Sequence, residues 1–216
     1  MAYRRTEAVE ARLNETRERI VDAAIKLVAE YGYGGAGIPA IAAEAGLSTG
    51  ALYRYFPSKA DLFDEVFRRA TQREIDVCAE AARQPGNARE RIARVVQVFA
   101  KRALKGRRLA YALLAEPVDP LIEADRLRYR IPYRDIFVSI IEDGIKAGEI
   151  AEQDAVLTAS AIVGALNEAL IGPLAPQAKR TNQDQLIGGL ARFCVQALGP
   201  MPGLKLSRLK LSGCAL

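Results

Sequence analysis

Apolar residues return every three or four positions through most of the chain, the pattern of amphipathic helices. Val21, Ala24, Leu27, Val28 and Tyr31 mark one face of a first long helix, with Arg17, Arg19, Asp22, Lys26 and Glu30 largely on the others. Gly32, Gly34, Gly35 and Gly37 break it. The spacing then predicts a short helix over residues 38–45, with Pro39 in its first turn and Gly46 just past its last. A second short helix over 49–56 is stopped by Pro57. Ser58-Lys59-Ala60-Asp61 is a capping-box variant, and it opens a longer helix with Leu62, Phe63, Val66, Phe67 and Ala70 on its apolar face. After a turn at 84–87, Ile92, Val95, Val96, Phe99 and Ala103 define another helix. A short helix over 107–115 follows, then one long helix over 120–147, kinked at Pro132 and ended by Gly148. Helices over 153–171 and 181–198 complete the chain. No segment alternates as a strand does, so the expected fold class is all-α, with about nine helices.

Composition narrows the chemistry. The 216 residues are half hydrophobic, enough for a sizeable core, and histidine and tryptophan are absent. Without histidine there is no Ser-His or Cys-His nucleophile and no histidine general base, and most zinc sites are excluded. Cys78, Cys194 and Cys214 lie far apart with no metal spacing, and an odd count suits a reducing compartment. No metal or cofactor is expected. The first residues lack a secretory apolar segment, and the uncharged apolar run over 155–167 meets Glu168 too early to span a bilayer. The expectation is a cytoplasmic protein with no membrane partner. The net charge of +5 is no evidence for nucleic acid, because residues 1–75 are neutral and the excess lies further on.

The local pattern in "GLSTGALYRYFPSKADL" (46–62) says more. On the helix over 49–56, Leu52 and Phe56 share one side, Arg54 lies opposite with Gly50 and Ala51 beside it, and Tyr53 and Tyr55 flank them. Such a helix suits a DNA major groove. Arg54 reaches base edges or a phosphate, Gly50 and Ala51 permit close approach, and the tyrosine hydroxyls reach phosphates. Ser48 and Thr49 cap the end that enters the groove, and Lys59 strengthens a phosphate contact at the next helix start. Two short helices about the turn at 46–48 form a helix-turn-helix.

Residues 19–62, through "IVDAAIKLVAEYGYGG", "IAAEAGLSTGALYRYFPSK" and "ADLF", resemble the DNA-binding domain of the TetR family of transcriptional regulators. The resemblance implies that the third helix reads DNA through Thr49, Gly50, Tyr53, Arg54 and Tyr55, with Lys59 on a phosphate. It departs at Ala36-Gly37, a weak cap for the second helix, and at Pro39 and Ala40, where an arginine often projects. The implied organisation is an arm or helix extension over 1–15, a three-helix DNA-binding domain over 16–75, a larger helical ligand-sensing and dimerisation domain over 76–200, and a flexible basic tail over 201–216. Tyr3, Arg4 and Arg5 are candidates for a minor-groove arm, with a plain tail the alternative.

The resemblance further implies pairing through the last two helices, where Ile162, Leu166, Leu170, Leu186, Leu190 and Phe193 are candidate dimer contacts. These faces could equally fill the core of the single chain. For a ligand site, Tyr129, Tyr133 and Phe137 recur at i, i+4 and i+8, with Phe99 and Tyr111 from the helices before them. Glu116, Asn167 and Glu168 interrupt apolar segments and are candidate polar members, though an aromatic stripe also suits plain core. The expected protein is a homodimeric, sequence-specific regulator, a repressor released from a palindromic DNA operator by a small molecule. The alternatives are a helical-bundle enzyme using carboxylates such as Glu116 with Glu168, or a protein-interaction module.

Overall fold

A computed structural model of the chain describes residues 7–179 and 182–199. Among them ten α-helices and no strand are found: α1 (Glu7–Gly35), α2 (Ile38–Glu44), α3 (Thr49–Leu52), α4 (Lys59–Arg83), α5 (Ala88–Lys105), α6 (Arg107–Leu114), α7 (Pro120–Arg128), α8 (Arg130–Lys146), α9 (Ala155–Leu174) and α10 (Gln183–Gln196). The expected arm at residues 3–5 and the tail over 201–216 lie outside the described residues.

The helix ends follow from local chemistry. Gly46, at φ +70°, closes α2: its N–H donates to Ala43 O at 3.0 Å and the Leu47 N–H to Ala42 O at 2.8 Å. That pairing turns the chain sharply into α3 and needs the left-handed backbone glycine tolerates. Gly37 caps α2 with no side-chain bond, as the sequence implies. Ser58 Oγ accepts the Asp61 N–H at 3.1 Å and opens α4, and Asn87 forms a full capping box with Glu90 at the start of α5.

The expected single helix over 120–147 is two, divided at Tyr129 rather than kinked at Pro132. Pro132 falls in the first turn of α8, where no N–H bond is required, so the break moves upstream of it.

Two apolar clusters organise the molecule. The first joins Ile20, Val21, Val28, Ile41, Leu52, Phe56, Leu62, Phe63, Val66 and Phe67, and it also takes in Ala112 of α6 and Ile122 of α7. The second gathers α5, α8, α9 and α10 with the later half of α4, including Cys78, Val95, Phe137, Ile140, Leu166 and Leu190. Helix α4 runs through both. Helix α9 is long and apolar enough to cross a membrane by length and composition, contrary to the expectation from Glu168. Ala159, Ile162, Leu166 and Leu170 on its inner face belong to the second cluster.

Candidate functional site

The α3 surface is held from beneath. Ser48 Oγ accepts the Ala51 N–H at 3.2 Å, so α3 starts where the sequence places it. Leu52 and Phe56 are fully buried, and the Arg17 guanidinium lies 4.5 Å from the centre of the Phe56 ring. Rooted there, the segment turns Ser48, Thr49, Gly50, Tyr53 and Arg54 outward, with Ala51 and Tyr55 half-buried. After Leu52 the helix tightens into a turn, with Arg54 N–H on Ala51 O and Tyr55 N–H on Leu52 O. Neither Tyr53 nor Arg54 bonds to any described side chain. A Cβ at Gly50 would meet nothing within 4 Å, so the fold itself does not ask for glycine there. Lys59 is less free than its sequence position suggests. It is half-buried, with its ammonium 4.6 Å from the Tyr33 ring centre and 5.2 Å from that of Phe63.

Tyr33 belongs to a junction that sequence patterns do not reveal. Helix α1 is interrupted at Gly32 (φ 76°, ψ 179°), which leaves carbonyls before the break and amides after it without helical partners. Both sides are met from the two ends of α6. Arg108 Nη2 donates to Tyr31 O at 2.9 Å, while the Glu116 carboxylate accepts the Tyr33 N–H at 3.1 Å and the Gly34 N–H at 3.4 Å. Arg108 and Glu116 pair with each other at 3.1 Å, cation on the carbonyl end and anion on the amide end, as the helix dipole favours. A Cβ on Gly32 would lie 1.8 Å from the Arg108 guanidinium, so this clasp requires the glycine. Glu116, expected in a ligand pocket, is therefore a capping group between the two clusters. Glu168 is exposed on α9 and lines no cavity, and the two carboxylates form no pair. Across the same junction the Tyr129 hydroxyl donates to Asp64 Oδ1 at 3.0 Å, and burial with this carboxylate beside it raises the phenol's pKa.

Behind the junction lies a cavity of about 100 Å³. Phe99, Tyr129, Tyr133 and Asn167 line it as expected. Phe137 instead lines a neighbouring annexe of about 20 Å³, and Tyr111 packs in the second cluster without reaching either space. Phe99, Tyr133 and Asn167 face both spaces, and the two rings meet edge to face at 5.4 Å. Leu109, Leu113 and Leu114 supply apolar wall. Sequence reasoning missed Thr71, Glu74, Arg126 and Arg130, which also line the cavity, and it reads the basic set Lys101, Arg102, Lys105, Arg107 and Arg108 as a solvated face or loop, whereas Arg102 joins the wall. Thr71 could have been found, since it follows Phe63 and Phe67 at helical spacing where an apolar residue is due. Arg126 and Arg130 could not, being set among other charges in sequence. Arg102 forms a two-point pair with Glu74 at 2.5 and 2.8 Å. Arg126 is buried, pairs with Glu123 at 2.6 Å and donates to Ala112 O and Glu116 O at the end of α6.

The expected dimer contacts divide. Ile162, Leu166, Leu170 and Leu190 are buried in the protomer's own core, because they form the inward stripes of α9 and α10, so they have no surface left for a partner. Leu186 is half-buried, and Phe193 is 56% exposed. Val156 and Leu157 of α9, exposed to 50% and 67%, were not singled out by the sequence.

Comparisons with known proteins agree with this architecture. Residues 20–66 match the family described as "Bacterial regulatory proteins, tetR family", and residues 85–170 match "Tetracyclin repressor-like, C-terminal domain". The chain is 30% identical over 156 residues to the fatty acid metabolism regulator protein of Bacillus subtilis (strain 168), covering 69% of this chain and 79% of that one. It is 29% identical over 184 residues to the transcriptional repressor BepR of Brucella suis biovar 1, covering 78% and 86%. In fold it resembles a crystal structure of FadR from Bacillus subtilis in complex with stearoyl-CoA, with a TM-score of 0.72 at 24% identity, over 83% of this chain and 98% of that one.

Proposed function

Because the chain belongs to the TetR family of bacterial regulatory proteins, and so is a transcriptional regulator rather than an enzyme, we propose that it is a cytoplasmic homodimeric repressor whose operator is released when a long aliphatic acyl thioester enters the cavity. The observation that carries the DNA half is the α3 surface, where Thr49, Gly50, Tyr53 and Arg54 stand exposed on a segment whose buried side is fully used. Thr49 and Arg54 read base edges, Tyr53 and Tyr55 reach phosphates, and Ser48, Gly50 and Ala51 allow the helix end to approach. Lys59 reaches a phosphate by leaving the Tyr33 ring. Two copies of this face, about 34 Å apart, match successive major grooves of a palindromic site. Pairing uses the outer faces of α9 and α10, with Leu157 and Phe193 as anchors.

The ligand class follows from an apolar cavity bordered by arginines, and from two relatives: one named for fatty acid metabolism, one bound to stearoyl-CoA. The cavity is smaller than a filled ligand site, usually about 300–1,000 Å³, so a long chain has to push its walls apart. Those walls include Tyr129, tied to Asp64 of α4, and Arg126, tied to the carbonyls at the end of α6. Displacing either moves the junction at Gly32 and with it the spacing of the α3 faces, a population shift toward a form that does not fit DNA.

The test is a fluorescence-anisotropy titration with the duplex flanking the protein's own gene, beside a scrambled duplex, at two salt concentrations and with hexadecanoyl-CoA added. Tight, salt-sensitive binding to the native duplex that hexadecanoyl-CoA reverses is the expected result. Salt-insensitive binding, or equal weak binding to both duplexes, removes the regulator reading for this DNA. Retention of the complex with hexadecanoyl-CoA at saturation removes the release step.

A further inference from the structure

Three polar side chains of the cavity wall have no side-chain hydrogen bond to the described residues. Thr71 of α4 and Asn167 of α9 are 6% and 7% exposed, and the Tyr133 hydroxyl of α8 is held protonated by burial. None of the three forms a side-chain hydrogen bond with a described residue. Among the described residues, the only buried side-chain polar atoms both sealed and unpartnered are Arg89 Nε and Arg126 Nε. The polar ends of Thr71 and Asn167 therefore open onto the cavity they line.

An amide on the buried stripe of α9, beside Val163, Leu166 and Leu170, is a poor choice for packing alone. Leucine would fill the position without leaving donors and acceptors unmet. A ligand entering the cavity can supply the missing partner. The charged wall residues are otherwise engaged, Arg102 with Glu74 and Arg126 with Glu123 and the α6 carbonyls. Arg130 is half-buried and has no partner among the described residues, so it can meet an acidic head group. Thr71, Tyr133 and Asn167 add neutral donors and acceptors to the same wall.

We infer that Asn167 and Tyr133 form the specificity pair of the sensor, bonding a neutral oxygen, carbonyl or hydroxyl, carried by an aliphatic ligand. This deepens the acyl-thioester reading and rests on it for the ligand class. Both residues face the main cavity and the annexe, so the bonded oxygen lies where the chain passes from one to the other. The oxygen is either the thioester carbonyl or a substituent further along the chain.

The test compares the full-length protein with Asn167→Leu. In thermal melts without ligand, the variant is expected to unfold at the same temperature as wild type or above it, because an unmet amide has been replaced by a packed side chain. A drop of several degrees would mean that the amide serves the fold, and would overturn the inference. In calorimetric titrations, hexadecanoyl-CoA, S-hexadecyl-CoA (the same chain and head without the carbonyl) and 3-hydroxyhexadecanoyl-CoA are compared. A preference of at least tenfold for hexadecanoyl-CoA over S-hexadecyl-CoA assigns the carbonyl. A preference of that size for the 3-hydroxy ligand alone assigns the chain oxygen. In either case Asn167→Leu should abolish the preference while still binding S-hexadecyl-CoA. Equal binding of all three by wild type, or a preference that survives in Asn167→Leu, overturns the pair. If no thioester binds, the ligand class proposed above fails, and decan-1-ol decides the pair separately. Stabilisation of wild type by the alcohol, absent in Asn167→Leu, supports it, and equal stabilisation of both overturns it.

Discussion

The α3 face takes eight residues from a run of twelve, Ser48 to Lys59, whereas the cavity draws its wall from six helices between Thr71 and Asn167. The first is built by a glycine turn, a serine cap and two buried anchors, and its outward Tyr53 and Arg54 side chains have no partner among the described residues. The second is built by tertiary packing, and its charged residues other than Arg130 are paired with one another or with backbone. A surface for a rigid, highly charged partner can wait exposed in water. A site for an aliphatic ligand instead needs apolar wall, and most of the charged groups that border this one are satisfied within the fold.

The contrast can be broken most sharply at Gly50. Nothing in the fold occupies the space of a side chain there, so Gly50→Leu should weaken specific DNA binding about 100-fold while leaving the melting temperature unchanged or raised. A large loss of stability would show instead that the α3 face also serves the core. Phe193→Glu tests whether the outer surface of α10 joins the DNA face to a second copy. The mass in solution should fall to that of one chain, and operator affinity should drop at least tenfold because two half-sites no longer bind together.

Smaller effects sharpen the link between the two regions. Glu116→Ala removes the carboxylate on Tyr33 and Gly34, and a lost cap costs about 1 kcal/mol. The melting temperature should fall by about 2–4 °C, and ligand should then release DNA less completely. Unchanged release would show that the signal passes elsewhere, for instance through Tyr129 and Asp64. The smallest effect concerns Cys78 in the annexe, whose thiol burial pushes up to about 12. In a Cys214→Ser background it should resist alkylation at pH 8, as should Cys194, pushed to about 11. The folded thiols stay protonated while the unfolded ones ionise near about 8.5, so stability is full below that pH and declines as pH rises through 9 to 11. Rapid labelling of folded protein at pH 8 would mean that the annexe is open.

Legibility follows the same division. The caps at Ser48 and Ser58, the turn at Gly46, and the inward side of Leu52 and Phe56 depend on neighbours within one or two helical turns, and all were expected from the chain. Asn167 was also readable, as a polar residue on an apolar stripe. Glu116 carried the same mark but caps a helix break about eighty residues earlier, a partner no spacing rule points to. Ile162, Leu166, Leu170 and Leu190 show the limit for apolar faces. Periodicity finds the stripe, but not whether the surface covering it belongs to the same chain.

By itself the sequence determined an all-helical chain, a helix-turn-helix with a defined outward face, and the absence of histidine chemistry, because helix periodicity, capping and side-chain chemistry are local or compositional properties. Only the tertiary structure decided that α1 breaks at Gly32 into a clasp with Arg108 and Glu116, that Thr71, Arg102 and Arg126 meet around a cavity, and that Phe99 and Tyr133 divide it from its annexe. Each of these joins residues far apart in sequence, and their meeting is set by how the described helices pack, a consequence of the summed burial of both cores rather than of any single stretch.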